Sequence, residues 1–133
     1  MSTLWAFPGQ GAQQPGMLHA LPEAPVVQAC IEQASAALNE DVRRLDSAEA
    51  LQNTRAVQLC LLIAGVAAAR LLSERGHRPD YVAGLSIGAY AASVVAGSLE
   101  FADAVRLVAL RGELMQRAYP CLLYTSDAAD DMQ

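Results

Sequence analysis

Tyr81-Val82-Ala83-Gly84-Leu85-Ser86-Ile87-Gly88-Ala89-Tyr90-Ala91-Ala92-Ser93-Val94-Val95-Ala96-Gly97 is the stretch whose reading decides the fold. The apolar run Tyr81 to Leu85 reads as a buried strand, Gly84 to Gly88 as a sharp turn, and the Ala- and Val-rich remainder as a helix that stops at Gly97. A serine at such a bend makes a nucleophile elbow. Glycines two positions before and after Ser86 let strand and helix approach closely, so the serine can hold a strained backbone conformation with its hydroxyl beyond the strand end. The helix behind it would aim the N–H of Ile87 and its own positive end at a developing oxyanion. A plainer reading makes Ser86 an N-cap and the glycines packing positions, and the strand and helix flanking them favour the elbow.

Working outward, Leu4-Trp5-Ala6-Phe7 is a second short strand, ended by Pro8 and followed by the Gly-rich loop Gly9-Gln10-Gly11-Ala12-Gln13-Gln14-Pro15-Gly16. Such a loop suits an oxyanion cradle or is a simple turn. It is a poor phosphate site, with no lysine after it and no G-x-G-x-x-G. Val26 to Asn39 carries a helical apolar stripe. Asp46-Ser47-Ala48-Glu49 resembles a capping box opening a short helix, and Thr54 is placed to cap a long helix running to about Arg75 before Gly76 and Pro79. Its run Leu59 to Ala69 is apolar on nearly every side, which predicts a central, buried helix. Strand, helices, strand, helix then implies an α/β fold with a parallel strand pair.

Phe101 to Ala118 reads as a last helix with Phe101, Ala104, Val105, Val108, Gly112, Leu114 and Met115 on its apolar face and Arg111 near the middle of that face. Arg106, Glu113 and Arg117 fall opposite, with Glu113 and Arg117 at i, i+4 as solvated charges. A guanidinium facing inward needs an anionic partner. That partner is a core carboxylate, a route to the helix edge, or a substrate carboxylate held by two parallel hydrogen bonds.

Composition narrows the chemistry. A 133-residue chain with 53% apolar residues supports one domain with a core. All nine basic residues are arginine, which excludes lysine Schiff bases and P-loop chemistry. The formal charge of −5 owes much to Asp127, Asp130 and Asp131 near the carboxyl end, so no basic face suggests nucleic acid. The apolar run Leu59 to Ala69 is shorter than the roughly 20 residues of a membrane span, and no secretory pattern opens the chain. A cytoplasmic location is expected, with no membrane partner. Cys30, Cys60 and Cys121 form no metal or disulfide pattern and suit reduced thiols.

Taken in order, Phe7-Pro8-Gly9-Gln10-Gly11-Ala12-Gln13, Gly84-Leu85-Ser86-Ile87-Gly88, Phe101-Ala102-Asp103-Ala104 and Arg111-Gly112-Glu113-Leu114-Met115-Gln116 resemble the malonyl-CoA:acyl carrier protein transacylase family over residues 4 to 120. The resemblance implies a partial acyltransferase domain of α/β-hydrolase-like fold, with a parallel sheet core and an elbow serine. It implies that Ser86 takes the malonyl group as an ester, that the backbone amides of Gln10 and Ile87 form the oxyanion hole, and that Arg111 holds the malonyl carboxylate. The implied partners are malonyl-CoA and the phosphopantetheine-type thiol of an acyl carrier protein, with no resident cofactor and no metal.

Departures from the family pattern refine this. Members of fatty-acid synthesis carry histidine before the serine and an acidic residue after the second glycine, where this chain has Leu85 and Ala89; their Thr-Gln-Pro appears as Thr54-Arg55-Ala56. These features resemble the transacylase (epsilon) subunit of malonate decarboxylase, whose own carrier subunit is then the expected partner. Family members are more than twice as long, and the resemblance places their general-base histidine and a small ferredoxin-like subdomain in a carboxyl-terminal half not represented here. Of the two histidines, His77 precedes the strand whose far end bears Ser86, and His19 reads as a surface residue. An impaired enzyme is the expectation for this chain alone. Residues 1–120 are read as the domain part and 121–133, with no periodicity and an acidic cluster, as a non-native tail. The competing readings are a serine esterase or patatin-like hydrolase, which shares the elbow, and a truncated non-catalytic module.

Overall fold

A computed structural model describes residues 1–118, and the tail reading of residues 121–133 lies outside the described residues. In chain order they form β1 (Leu4–Phe7), α1 (Pro25–Leu38), 3-10 turns at Val42–Asp46 and Ala50–Gln52, α2 (Thr54–Glu74), β2 (Tyr81–Gly84), α3 (Gly88–Val95) and α4 (Phe101–Arg117). β1 and β2 pair in parallel, with Leu4 opposite Tyr81 and Phe7 opposite Gly84. Helical connections between parallel strands make this the α/β arrangement that the element order implied.

α2 is the axis of the packing. Between Ala56 and Leu71 most of its side chains are buried, and α1, α3 and α4 all pack against it. By length and composition this helix could cross a membrane; its apolar sides here meet other helices of the same domain. Its N-cap is Asn53, whose side chain accepts from the N–H groups of Arg55 and Ala56, and Thr54 is the first helical residue rather than the cap. Both side chains can cap, and the backbone bend one residue earlier decides between them. At the other end Gly76, with φ of 91°, closes the helix, and the N–H of His77 returns to the carbonyl of Leu72.

Asp46 does not open a helix. It ends the first 3-10 turn, 3% exposed, while Ser47 accepts from the N–H of Ala50 as the local cap. The Asp46 carboxylate instead accepts from the N–H of Leu18 at 3.0 Å and of His19 at 3.2 Å, and its carbonyl accepts from Gly16 at 2.8 Å. These bonds fasten the segment after the Gly-rich loop to the helical layer, which fixes where that loop can lie.

α4 buries Phe101, Ala104, Val105, Val108, Ala109 and Gly112. Leu114 was expected among them and is 53% exposed. At 100° per residue it lies about 200° around the helix from Gly112, whereas Ala109 lies about 60° away. The helix is turned to this angle by a backbone contact: a Cβ on Gly112 would meet the Cα of Arg55 at 2.5 Å. The same rotation puts Glu113 beside Arg55, at 3.6 Å, rather than in the expected pair with Arg117; Arg55 also pairs with Glu40, and Arg106 with Asp103 at 3.2 Å. Arg111 sits on the flank of the buried face, about 100° from Gly112, and not near its middle.

The sheet is covered on one side. Trp5, Phe7, Val82 and Gly84 face the helices, with the Phe7 ring against Gly65 of α2, whereas Leu4, Ala6, Tyr81 and Ala83 are exposed. An apolar hollow of about 390 Å³ runs beside β1, lined by Trp5, Phe7, Gly65, Ala68 and Leu72 among others.

Candidate active site

The bend between β2 and α3 places Ser86 beyond the strand end, exposed, with φ of 55°. A positive φ is strained for a residue with a Cβ and is the backbone state expected of an elbow nucleophile. Two close approaches hold the bend. A Cβ on Gly84 would lie 2.1 Å from the carbonyl carbon of Gly88, and one on Gly88 would lie 2.2 Å from the carbonyl oxygen of Phe7. No other residue type fits either position.

The N–H groups of Gly88, Ala89 and Tyr90 donate to the carbonyls of Leu85, Ser86 and Ile87. The N–H of Ile87 belongs to the residue that caps α3, where a helix offers no carbonyl partner, while its side chain is buried at 1% exposure. That anchored position leaves the amide beside Ser86. The Gly-rich loop passes the same point: a Cβ on Gly9 would meet the carbonyl oxygen of Leu85 at 2.8 Å and the Ser86 Cβ at 3.8 Å. Gln10 is the next residue, exposed, so its backbone runs alongside the elbow. The loop holds its turn through Gly11, with φ of 114° and its N–H donating to Gln13 Oε1 at 2.7 Å.

Arg111 reaches the serine from α4. Its Nη2 donates to Ser86 Oγ at 3.1 Å and its Nη1 to Gln58 Oε1 at 2.8 Å, with the Tyr90 ring centroid 5.8 Å from the guanidinium carbon. Because Oγ accepts from arginine, its own proton is free to be given to a base. Gln58 is fully buried on α2, and its Nε2 donates to Met115 Sδ at 3.1 Å. Sequence reasoning missed both Gln58 and Tyr90. Gln58 had left a signal, as the one amide between Arg55 and Arg70 in an otherwise apolar helix. Tyr90 had left a weaker one, as the aromatic residue in the first turn of the helix behind the elbow serine.

The histidines lie elsewhere. His19 has a side chain 61% exposed, with Nδ1 2.7 Å from Asp46 Oδ2, so Nδ1 carries the proton that the carboxylate accepts. His77 follows the end of α2 and precedes β2. Among the described residues no group of His, Cys, Asp and Glu could hold a metal ion. Cys30 and Cys60 are free and buried, and burial pushes their thiols up to about 11 and about 12 from the ordinary 9.0. Both are therefore neutral, non-nucleophilic core residues.

The arrangement can form and hold an acyl ester. A strained, exposed hydroxyl stands next to two main-chain segments able to offer amides, and a half-buried cation touches that hydroxyl. The malonyl CoA-acyl carrier protein transacylase of Escherichia coli (strain K12) is 45% identical over 121 residues, which span 87% of this chain and 39% of that protein. The crystal structure of the malonyl-CoA:ACP transacylase of Synechocystis sp. PCC 6803 superposes with a TM-score of 0.83 at 38% identity, over 89% of this chain and 41% of that one. A malonyl-transacylase in complex with its type II PKS acyl-carrier protein gives 0.81 at 42% identity, over 89% and 40% of the two chains. The chain thus spans about two fifths of the length of the relatives it matches. The acyl transferase domain model matches residues 4–121, most of the chain and every residue of the elbow, the Gly-rich loop and the arginine helix, so the chain belongs to the acyl transferase domain family.

Proposed function

We propose that this chain carries the acyl-accepting site of a malonyl-CoA:acyl carrier protein transacylase, with Ser86 as nucleophile. The observation that carries the reading is the Arg111 guanidinium bonded to the nucleophilic hydroxyl. In a malonyl ester the free carboxylate lies one methylene beyond the ester carbonyl, within reach of that guanidinium. Acetyl has no group to place there. A hydrolase of simple esters would gain nothing from a cation at this point.

Ser86 Oγ attacks the thioester carbonyl, the C–S bond breaks, and the proton leaves Oγ for a base and reaches the departing CoA sulfur. The amides of Ile87 and Gln10 stabilise the tetrahedral oxyanion, and a carrier thiol then attacks the ester in a second step of the same kind. Arg111 binds the malonyl carboxylate through charge-assisted hydrogen bonds and selects a diacid acyl group. Family resemblance assigns the base to a histidine, and His19 and His77 are placed elsewhere, so the chain by itself acylates slowly in this account. CoA enters as part of the substrate, no resident cofactor is needed, and the reaction belongs to the cytoplasm.

The carrier we propose is that of malonate decarboxylase. Leu85 and Ala89 flanking the elbow and Arg55 in place of the family glutamine support this, and Arg55 is built into the fold through Glu40, Glu113 and the backbone of Gly112. The test is acyl transfer by the protein as its gene encodes it, with malonyl-CoA as donor and two acceptors offered in parallel: a malonate decarboxylase carrier subunit and a fatty-acid acyl carrier protein. Faster transfer to the former is expected. Preference for the latter overturns the decarboxylase assignment, and loss of malonyl preference over acetyl must follow Arg111→Ala or the carboxylate role is wrong.

A further inference from the structure

We propose that Gln58 is a positioning residue that sets the pose of the Arg111 guanidinium and through it the selection of a carboxylate-bearing acyl group; the inference rests on the transacylase reading above. Arg111 leaves α4 from the flank of its buried face, and a long side chain in that place could point along the helix or out to solvent. Three elements prevent this. Gln58 of α2 accepts from Nη1, the elbow serine accepts from Nη2, and the Tyr90 ring of α3 stands beside the guanidinium. Of the two hydrogen bonds, the one to Gln58 persists when an acyl group occupies Ser86, because the serine oxygen is then part of the ester.

The chemistry of an amide suits this task. Arginine only donates, so the buried amide must present its oxygen to Nη1 and its nitrogen away, toward Met115 Sδ. Sulfur is a weak acceptor, so the orientation of the amide is set by Arg111 rather than by Met115. A carboxylate at position 58 would hold the guanidinium equally well but neutralise it, and would repel the malonyl carboxylate that the cation is there to bind. An apolar side chain would leave Nη1 without a partner at the edge of the core and free the arginine to turn away. An uncharged acceptor fixes the fork and leaves its full charge, with the remaining N–H groups on the serine side, for a ligand. Full burial of Gln58 keeps water from replacing it in this role.

The experiment compares Gln58→Met and Gln58→Glu with wild type in the protein as its gene encodes it, following Ser86 acylation by malonyl-CoA and by acetyl-CoA. For Gln58→Met, kcat/KM with malonyl-CoA should fall about tenfold, mainly through KM, while the acetyl-CoA rate stays within about twofold. Gln58→Glu should lose about a hundredfold with malonyl-CoA and again keep the acetyl rate. Circular dichroism and the urea midpoint report whether each variant folds, and if one does not, the other decides. An unchanged malonyl-to-acetyl ratio in a folded variant, or an equal fall with both donors, makes Gln58 a packing residue and overturns the proposal. A wild-type protein that accepts neither acyl group overturns the transacylase reading, and this inference with it.

Discussion

The two sides of this molecule are finished to different degrees. On the helical side α2 is enclosed by α1, α3 and α4, and Leu59, Leu62, Ile63 and Val66 are at most 1% exposed. On the sheet side two strands present Leu4 at 58% and Tyr81 at 64% exposure, and an apolar hollow lies open beside β1. Parallel sheets elsewhere are covered on both faces. The contrast teaches where the site draws its rigidity. Ser86, Ile87, Arg111 and Gln58 are all held from the enclosed side, through α2, α3 and α4, so the nucleophile and its cation are fixed by helices although the described residues contribute two strands to the sheet beneath the elbow.

Perturbations should therefore be large at the enclosed side and at its seam with the sheet, and small on the open face. The largest effect is expected at the seam between the two. Gly88→Ala drives a methyl into the Phe7 carbonyl, which the parallel ladder cannot yield without separating, and should cost about 3 kcal/mol in urea unfolding and abolish Ser86 acylation. Next comes the core, where Leu62→Ala should cost about 3 kcal/mol by the same measurement while leaving the elbow intact.

A pH titration of stability probes the enclosed side without changing it. The thiols of Cys30 and Cys60 are raised to about 11 and about 12, so the unfolded chain releases these protons near the ordinary 9.0 while the folded chain keeps them. Stability from these groups is complete below about pH 9 and is lost as pH rises toward their folded values, by about 1.4 kcal/mol per pH unit for each thiol, so roughly 3 kcal/mol per pH unit while both contribute. Urea midpoints that hold steady from neutral pH to about pH 9 and then fall would agree; alkaline midpoints unchanged up to about pH 11 would mean the thiols are not enclosed. Smallest of all is the open face. Tyr81→Thr should shift stability by less than about 0.5 kcal/mol, and a loss comparable to that of Leu62→Ala would show that this face is covered in solution.

What could be read in the sequence follows the same division between local and tertiary causes. The strand, bend and helix around Ser86 were legible because glycine spacing and a serine at positive φ are local features, and the burial of α2 was legible because its apolar residues leave no polar side to expose. The rotation of α4 was not, because it is set by the contact of Gly112 with Arg55, two residues far apart in the chain. That contact decided that Leu114 faces out, that Glu113 meets Arg55, and that Arg111 reaches the elbow from the flank. Asp46 was misread for a related reason: a capping pattern was present, but the buried N–H of Leu18 and the part-buried N–H of His19 competed for the carboxylate and won. Gln58 was visible as a lone amide, and only the structure gives it a partner.

In the proposed reaction Ser86 carries an acyl group chosen by the cation beside it. Peptide mapping by mass spectrometry after brief exposure of the protein as its gene encodes it to malonyl-CoA is the direct test. A malonyl adduct is expected on the peptide containing Ser86, none on Ser86→Ala, and acetyl-CoA labelling much weaker than malonyl-CoA labelling. An adduct on another residue, or equal labelling of Ser86→Ala, would contradict it.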